Sequence, residues 1–147
     1  MSLISIFFLM LSLYFIILTS STIIRKFVTY KGLFYIFTSY LGGYLLYLMF
    51  IFTDVVLGNA TADFCWIFNT INWLSLDLTF SLKLDALSYF FVLLVTAIGV
   101  GTNFYILNYM KFEAQEDNFA LLINWFMLSM IILVLGNNLF TLFLGWE

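Results

Sequence analysis

The sequence predicts an all-α integral membrane protein. It has four transmembrane helices plus the start of a fifth, with a short β-strand or hairpin element between helices 2 and 3. Three observations carry that expectation. Composition is the first: 65% of the residues are hydrophobic and 9% charged, against about 25% charge in a soluble domain. A chain of 147 residues has too little interior to hide so much apolar surface from water. Second, the charges fall in short clusters. The gaps between them approach the ~20 apolar residues that a helix needs to cross ~30 Å of hydrocarbon. Third, one polar stretch alternates strictly, with the period of a strand.

Residues 1–24 carry no charge before Arg25, Lys26 and Lys31. They lack a basic leader and are too long for an ordinary signal peptide, so a retained first helix is expected over about 3–24. Residues 32–53 are the second uncharged run, closed by Asp54 and Asp63. The third expected helix covers about 86–110, ahead of the polar "KFEAQED". From Asn118 to Trp146 no residue is charged. That run is too long for one span, and "GNN" at 136–138 is a turn signal inside it. A fourth helix is therefore expected over about 118–135 and a fifth from 139 to 147. Buried in lipid, each segment must satisfy its own backbone, which dictates helix. Residues 1–147 form a single membrane unit, without repeat or linker.

"WLSLDLTFSLKLD" (73–85) alternates Leu74, Leu76, Leu78, Phe80, Leu82 and Leu84 with polar residues. The polar face is unfit to cross lipid alone. A surface strand is expected, covering helix ends or pairing with a strand within 64–72. Three of the five basic residues lie in "RKFVTYK", which the positive-inside rule puts on the inner side. The N-terminus, the strand and "GNN" then lie outside, and the fifth helix heads inward.

Composition also bounds function. There is no histidine and one cysteine, Cys65, so no internal disulfide is expected. The net charge of −3 comes with no basic patch for nucleic acid. Abundant Phe, Leu, Ile and Tyr with no Pro hint at an AT-rich, organelle-type genome. "NAT" at 59–61 matches a glycosylation sequon, which has meaning only in a secreted chain. No phosphate loop, metal-ligand cluster or nucleophile triad is present. No cofactor is expected in this chain.

Glu147 stands out. Eight helical steps separate it from Leu139, ~12 Å along the axis, close to mid-membrane. An acidic residue there costs roughly 3 kcal/mol or more, and such residues line ion or proton paths. Burial raises a carboxyl's pKa and a nearby cation lowers it, so a poised Glu147 could relay protons. The alternative is a chain end near water. Among weaker candidates, Asn103 and Ser129 could bond between helices, Thr96 and Asn124 are polar in apolar surroundings, and Gly42, Gly43, Gly99 and Gly101 could allow close helix packing. Trp125 and Trp146 suit packing or interface roles.

"LKLDALS" (82–88), an apolar helix ending in "NYM" (108–110), and a span closing on "ILVLGNNLFTLFLGWE" form a specific series. It resembles the N-terminal part of NADH dehydrogenase subunit 5, the antiporter-like membrane subunit of respiratory complex I. The close match runs from about Leu82 to Glu147. The resemblance implies that Glu147 takes the role of the fifth-helix glutamate, which pairs with a lysine on a later helix in proton translocation. Asp85 matches the acidic residue of an "LDGLS"-like motif, with Ala86 in place of Gly, as a structural or minor proton-path residue. It also implies a subunit of the H⁺-translocating NADH:ubiquinone oxidoreductase in the mitochondrial inner membrane. FMN and iron–sulfur clusters would lie elsewhere in the complex. Expected partners are other membrane-arm subunits, membrane lipids, and a second polypeptide carrying the rest of subunit 5 with its lysine. The alternatives are the large subunit of a multisubunit Na⁺/H⁺ antiporter, or a structural membrane subunit without transport chemistry.

Overall fold

The computed structural model describes residues 3–24, 30–56, 62–67, 79–109 and 116–147. The element order is α1 (Leu3–Ile24), α2 (Tyr30–Val56), β1 (Ala62–Ile67), β2 (Thr79–Leu84), α3 (Ala86–Tyr109), α4 (Glu116–Leu135) and α5 (Leu139–Trp146). The basic residues Arg25 and Lys26, the sequon at 59–61, the first half of the alternating stretch (73–78) and the start of "KFEAQED" (111–115) lie outside the described residues.

The chain is mostly helical. Among the described residues two stretches are long and apolar enough to cross a membrane, Tyr35–Phe52 in α2 and Ala86–Ile106 in α3. Ile6–Ser21 and Phe119–Leu135 are shorter apolar helices.

Each long helix buries a heptad seam. In α1 it is Phe7, Leu11, Tyr14, Leu18 and Ser21, and in α2 it is Phe37, Leu41, Tyr44, Leu48, Ile51 and Val55. In α3 it is Tyr89, Val92, Thr96, Gly99, Asn103 and Ile106. A 3.5-residue repeat keeps one stripe facing a partner helix. Here α2 packs on α3, α3 on α4, and α1 reaches α4.

The buried polar side chains of α1, α3 and α4 lie on the seams, while the outer helix faces are mainly apolar, with Ser12 and Ser39 among the few exposed polar residues there. Ser21, Thr96, Asn103, Asn124 and Thr141 are buried, while Leu46, Phe50, Phe104 and Leu122 are exposed. This inverts the distribution of a water-soluble bundle. Helices that are apolar all round suit a lipid surround.

At the bundle centre, Asn124 Nδ2 donates to Asn103 Oδ1 (3.0 Å) and Asn103 Nδ2 donates to Asn124 Oδ1 (3.3 Å). The Tyr14 hydroxyl donates to the same Asn124 Oδ1 (2.9 Å). Each amide also donates back to its own helix, at Gly99 O and Ala120 O. The Asn103 expectation holds, with Asn124 as its partner. Ser129 differs: its hydroxyl donates to Phe126 O, one turn back on its own helix. A short side chain on an apolar helix reaches its own carbonyls most easily. Thr96 does the same with Val92 O.

Two tyrosines tie α2 to its neighbours through backbone carbonyls: Tyr40 donates to Met10 O and Tyr89 to Leu48 O. Tyr40 also stacks on Tyr14 with centroids 5.4 Å apart. The buried Tyr44 hydroxyl has no hydrogen-bond partner among the described residues.

The glycine expectations need correction. A Cβ at Gly42, Gly43 or Gly101 would meet nothing within 4 Å, and at Gly99 it would make ordinary contact with Met127. None of these allows a close approach. The tight glycine is Gly145, where a Cβ would lie 2.7 Å from Leu133 N.

β1 and β2 form an antiparallel pair in the register Ala62↔Leu84 to Ile67↔Thr79. The partner strand begins two residues earlier than the expected window. β2 is more buried than a surface strand. Leu82 and Leu84 join the core, and Ser81 on the polar side is buried too, because that side packs against the segment entering α5.

Replacing Asn124 with Leu should leave Asn103 Oδ1 without its donor and the Tyr14 hydroxyl with only its longer bond to the backbone carbonyl of residue 124 (3.3 Å), at a cost of about 1–2 kcal/mol. Tyr44→Phe should be neutral or stabilising by about 1 kcal/mol, since the hydroxyl it removes is unpaired. Detergent-denaturation midpoints of the two variants should therefore move in opposite directions or not together.

Candidate functional site

The candidate site is α5 and what holds it. Helix α4 ends at Leu135, and Gly136 N donates to Leu133 O, turning the chain. Asn138 then caps α5: its Oδ1 accepts from Thr141 N (2.8 Å) and its carbonyl from Leu142 N. An N-cap oxygen satisfies an otherwise orphaned helix donor, so the "GNN" turn signal has a specific outcome.

The entering segment continues the sheet. Leu82 and Gly136 form an antiparallel bridge, and Asn137 N donates to Ser81 O (3.0 Å). Ser81 N donates to Thr141 Oγ1 (3.0 Å). At Ser81 the inner edge of β2 thus has both backbone groups satisfied by the start of α5, while β1 takes the other edge.

On α5, Thr141 and Gly145 are buried. They stand one turn apart and share a face, which packs on α4 and β2. Leu139, Phe143, Leu144 and Trp146 are exposed. Trp146 is an exposed aromatic, whereas Trp125 packs edge-on against Phe15.

Glu147 follows the last residue of α5. Its N–H donates to Phe143 O (3.0 Å), so the backbone keeps helical register up to it. Two residues beyond Gly145 is about 200° around the axis. Glu147 therefore leaves on the side away from α4, next to Phe143 and Phe140, and it is exposed.

Asp85 occupies a different place. It stands between β2 and α3, where its Oδ1 accepts from Ser88 N (2.8 Å) and its carbonyl from Tyr89 N. This is N-capping of α3. The Ser88 N–H holds the carboxyl below its ordinary 3.8, helped by the nearby Lys83 charge and opposed by partial burial. A negative side chain also suits the positive end of the helix dipole. Among the described residues no hydrogen bond or ion pair joins Asp85 to Glu147, and no group of three or more His, Cys, Asp or Glu could hold a metal ion.

Sequence reasoning missed Thr141 and Gly145. A threonine and a glycine spaced four apart on a short apolar helix were a signal, but a faint one.

Residues 70–120 match the family model described as NADH-ubiquinone oxidoreductase (complex I), chain 5 N-terminus. That match covers β2, α3 and the beginning of α4 and stops short of α5. The chain is 34% identical over 133 residues to NADH-ubiquinone oxidoreductase chain 5 of Paramecium tetraurelia, covering 86% of this chain and 22% of that one. It is 36% identical over 90 residues to the chain 5 of Yarrowia lipolytica, covering 61% of this chain and 14% of that one. It is 38% identical over 82 residues to Na(+)/H(+) antiporter subunit A1 of Staphylococcus haemolyticus, covering 55% of this chain and 10% of that one. The chain thus spans about a fifth or less of the length of these curated relatives.

Capping by Asp85 makes a prediction with a sign. A carboxyl whose folded pKa is lowered stabilises the fold above its unfolded value, and that stabilisation is lost as pH falls through the folded value. Asp85→Ala should cost about 1 kcal/mol at neutral pH. Asp85→Asn keeps a capping oxygen, so it should retain most of the stability and remove this residue's share of the loss in acid, as read from denaturation midpoints between pH 7 and 3.

The relatives, the family model and the strand-to-helix motif agree: the chain is related to the N-terminal part of the antiporter-like chain 5 family of complex I.

Proposed function

We propose that this chain is a component of the proton-translocating membrane arm of NADH:ubiquinone oxidoreductase, in which Glu147 relays protons. The observation that carries this reading is the placement of Glu147. It leaves a short helix on the side away from its own bundle, among exposed apolar side chains. A carboxylate in such surroundings needs a cation, a proton or water nearby. The lysine implied by the family resemblance would supply that partner from residues outside this sequence, on this polypeptide or on a second one.

In this reading α1 to α4 cross the membrane and α5 enters it from the outer side. The hairpin and Asp85 lie at the outer surface, and the C-terminal end of α1 lies toward the inner side. The inverted polarity of the bundle supports four spans. The short apolar stretches of α1 and α4 can span with local thinning of the bilayer or with their flanking turns. The mitochondrial inner membrane is the proposed location, and other membrane-arm subunits and lipid are the proposed partners. Redox centres belong to other subunits, and Asp85 is a structural cap.

A second reading has one specific support, the similarity to a Na⁺/H⁺ antiporter subunit over 82 residues. Co-purification from native membranes separates the two: redox subunits favour the first, antiporter subunits alone the second.

Glu147→Gln keeps the shape of the side chain and removes its charge and titration. In the assembled complex it should leave subunit content unchanged and lower proton translocation per electron transferred. Unaltered translocation with normal assembly would rule out the relay role.

A further inference from the structure

We propose that Thr141 and Gly145 are positioning residues for Glu147, fixing α5 at two points so that the carboxylate is presented at a set height and direction. The inference rests on the relay reading of Glu147 and adds the residues through which the fold controls it.

The first point is Thr141. Its side-chain oxygen accepts from Ser81 N in β2, and its own N–H is held by the Asn138 cap. One residue thus joins the sheet edge to the first turn of the helix. It is fully buried, so neither bond has water as a substitute, and loss of the hydroxyl leaves Ser81 N–H unpaired. The second point is Gly145. A Cβ there would stand 2.7 Å from Leu133 N and 2.8 Å from Leu133 Cα. These are backbone atoms of α4, which cannot rotate away, so any side chain would push α5 off α4. Gly42, Gly43, Gly99 and Gly101 have no neighbour so close.

Thr141 and Gly145 are one turn apart, so together they fix both the height and the rotation of α5. Glu147 lies two residues beyond Gly145. A tilt or rotation at either point is therefore carried directly to the carboxylate. Ser81 also lies four residues before the Asp85 cap, so one strand is anchored to the starts of both α3 and α5. Movement of the hairpin would reach Glu147 through Thr141 without any contact to the carboxylate itself.

The test uses the assembled complex in native membranes, with Thr141→Val, Thr141→Ser, Gly145→Ala, Glu147→Gln and Thr102→Val. Thr102, whose hydroxyl bonds only one turn back to Ile98 O, is the control for losing a helical hydroxyl. Proton translocation per electron should fall about tenfold in Thr141→Val and Gly145→Ala, as expected when a reacting group is displaced by a fraction of an ångström or more. It should be retained in Thr141→Ser, which keeps the acceptor oxygen, and in Thr102→Val. The second readout is the rate of labelling of Glu147 by a hydrophobic carbodiimide at one fixed pH, followed by mass spectrometry. It reports where the carboxylate stands even where a variant translocates poorly. The rate should change severalfold in Thr141→Val and stay in Thr141→Ser. If Glu147→Gln abolishes translocation but Thr141→Val leaves both translocation and the labelling rate unchanged, the positioning role is overturned and the relay stands. If Glu147→Gln itself translocates normally, the relay fails and the positioning role falls with it.

Discussion

Polar groups in hydrocarbon must be satisfied from within the protein, and this constraint organises the chain. Hydrocarbon offers no hydrogen bonds, so an unpaired group there costs several kcal/mol. The helices respond by turning their buried amides toward one another, while their serines and threonines bond back to carbonyls of their own helix. Asn103 and Asn124 exchange amide bonds between α3 and α4, and Tyr14 adds a bond from α1. Apolar attraction between helices is weak when lipid is equally apolar. Specific bonds of this kind, together with heptad packing, therefore decide which helices are neighbours and in what register.

The same constraint explains the hairpin. The chain leaves α4 and re-enters a helix within three residues, and such a break exposes backbone groups. Gly136, Asn137 and Thr141 settle these groups on the edge of β2, while Asn138 settles the first turn of α5. The break is therefore a joint with fixed geometry. It docks a short helix against α4 and β2 with a carboxylate on its outer side. Asp85 does the related task at α3, where one carboxylate closes the first turn.

Much of this was legible in the residues. Charge clusters divide the apolar runs because ionised groups stay out of hydrocarbon, and the described helices follow those runs, with α2 reaching over Lys31 and Asp54 and α4 starting on Glu116 and Asp117. Alternation over Thr79–Leu84 marked a strand, because period two is a property of extended backbone alone. Asn103 and Asn124 stood out as amides in apolar helices, although sequence could not pair them. Glycine was misleading: whether it permits a close approach depends on where a neighbouring backbone passes, so Gly42, Gly43 and Gly101 misled while Gly145 was overlooked. Tyr14 was hidden among many aromatics, and only the fold shows which hydroxyls face polar partners. Ser129 was ambiguous because a serine can bond its own helix as readily as another. The candidate site was the least legible part, since the groups that hold α5 are a backbone edge, a threonine and the missing side chain of a glycine.

The central claim is that Glu147 faces a cation supplied from outside this bundle while α5 stays docked on the hairpin. An experimental structure of the native assembly, resolved well enough to see side chains around α5, tests it most directly. The account predicts a lysine or other cation within about 4–6 Å of the Glu147 carboxylate, close enough to govern its ionisation, with Thr141 still bonded to Ser81. Glu147 directed into lipid headgroups or bulk water with no cation in reach would contradict it.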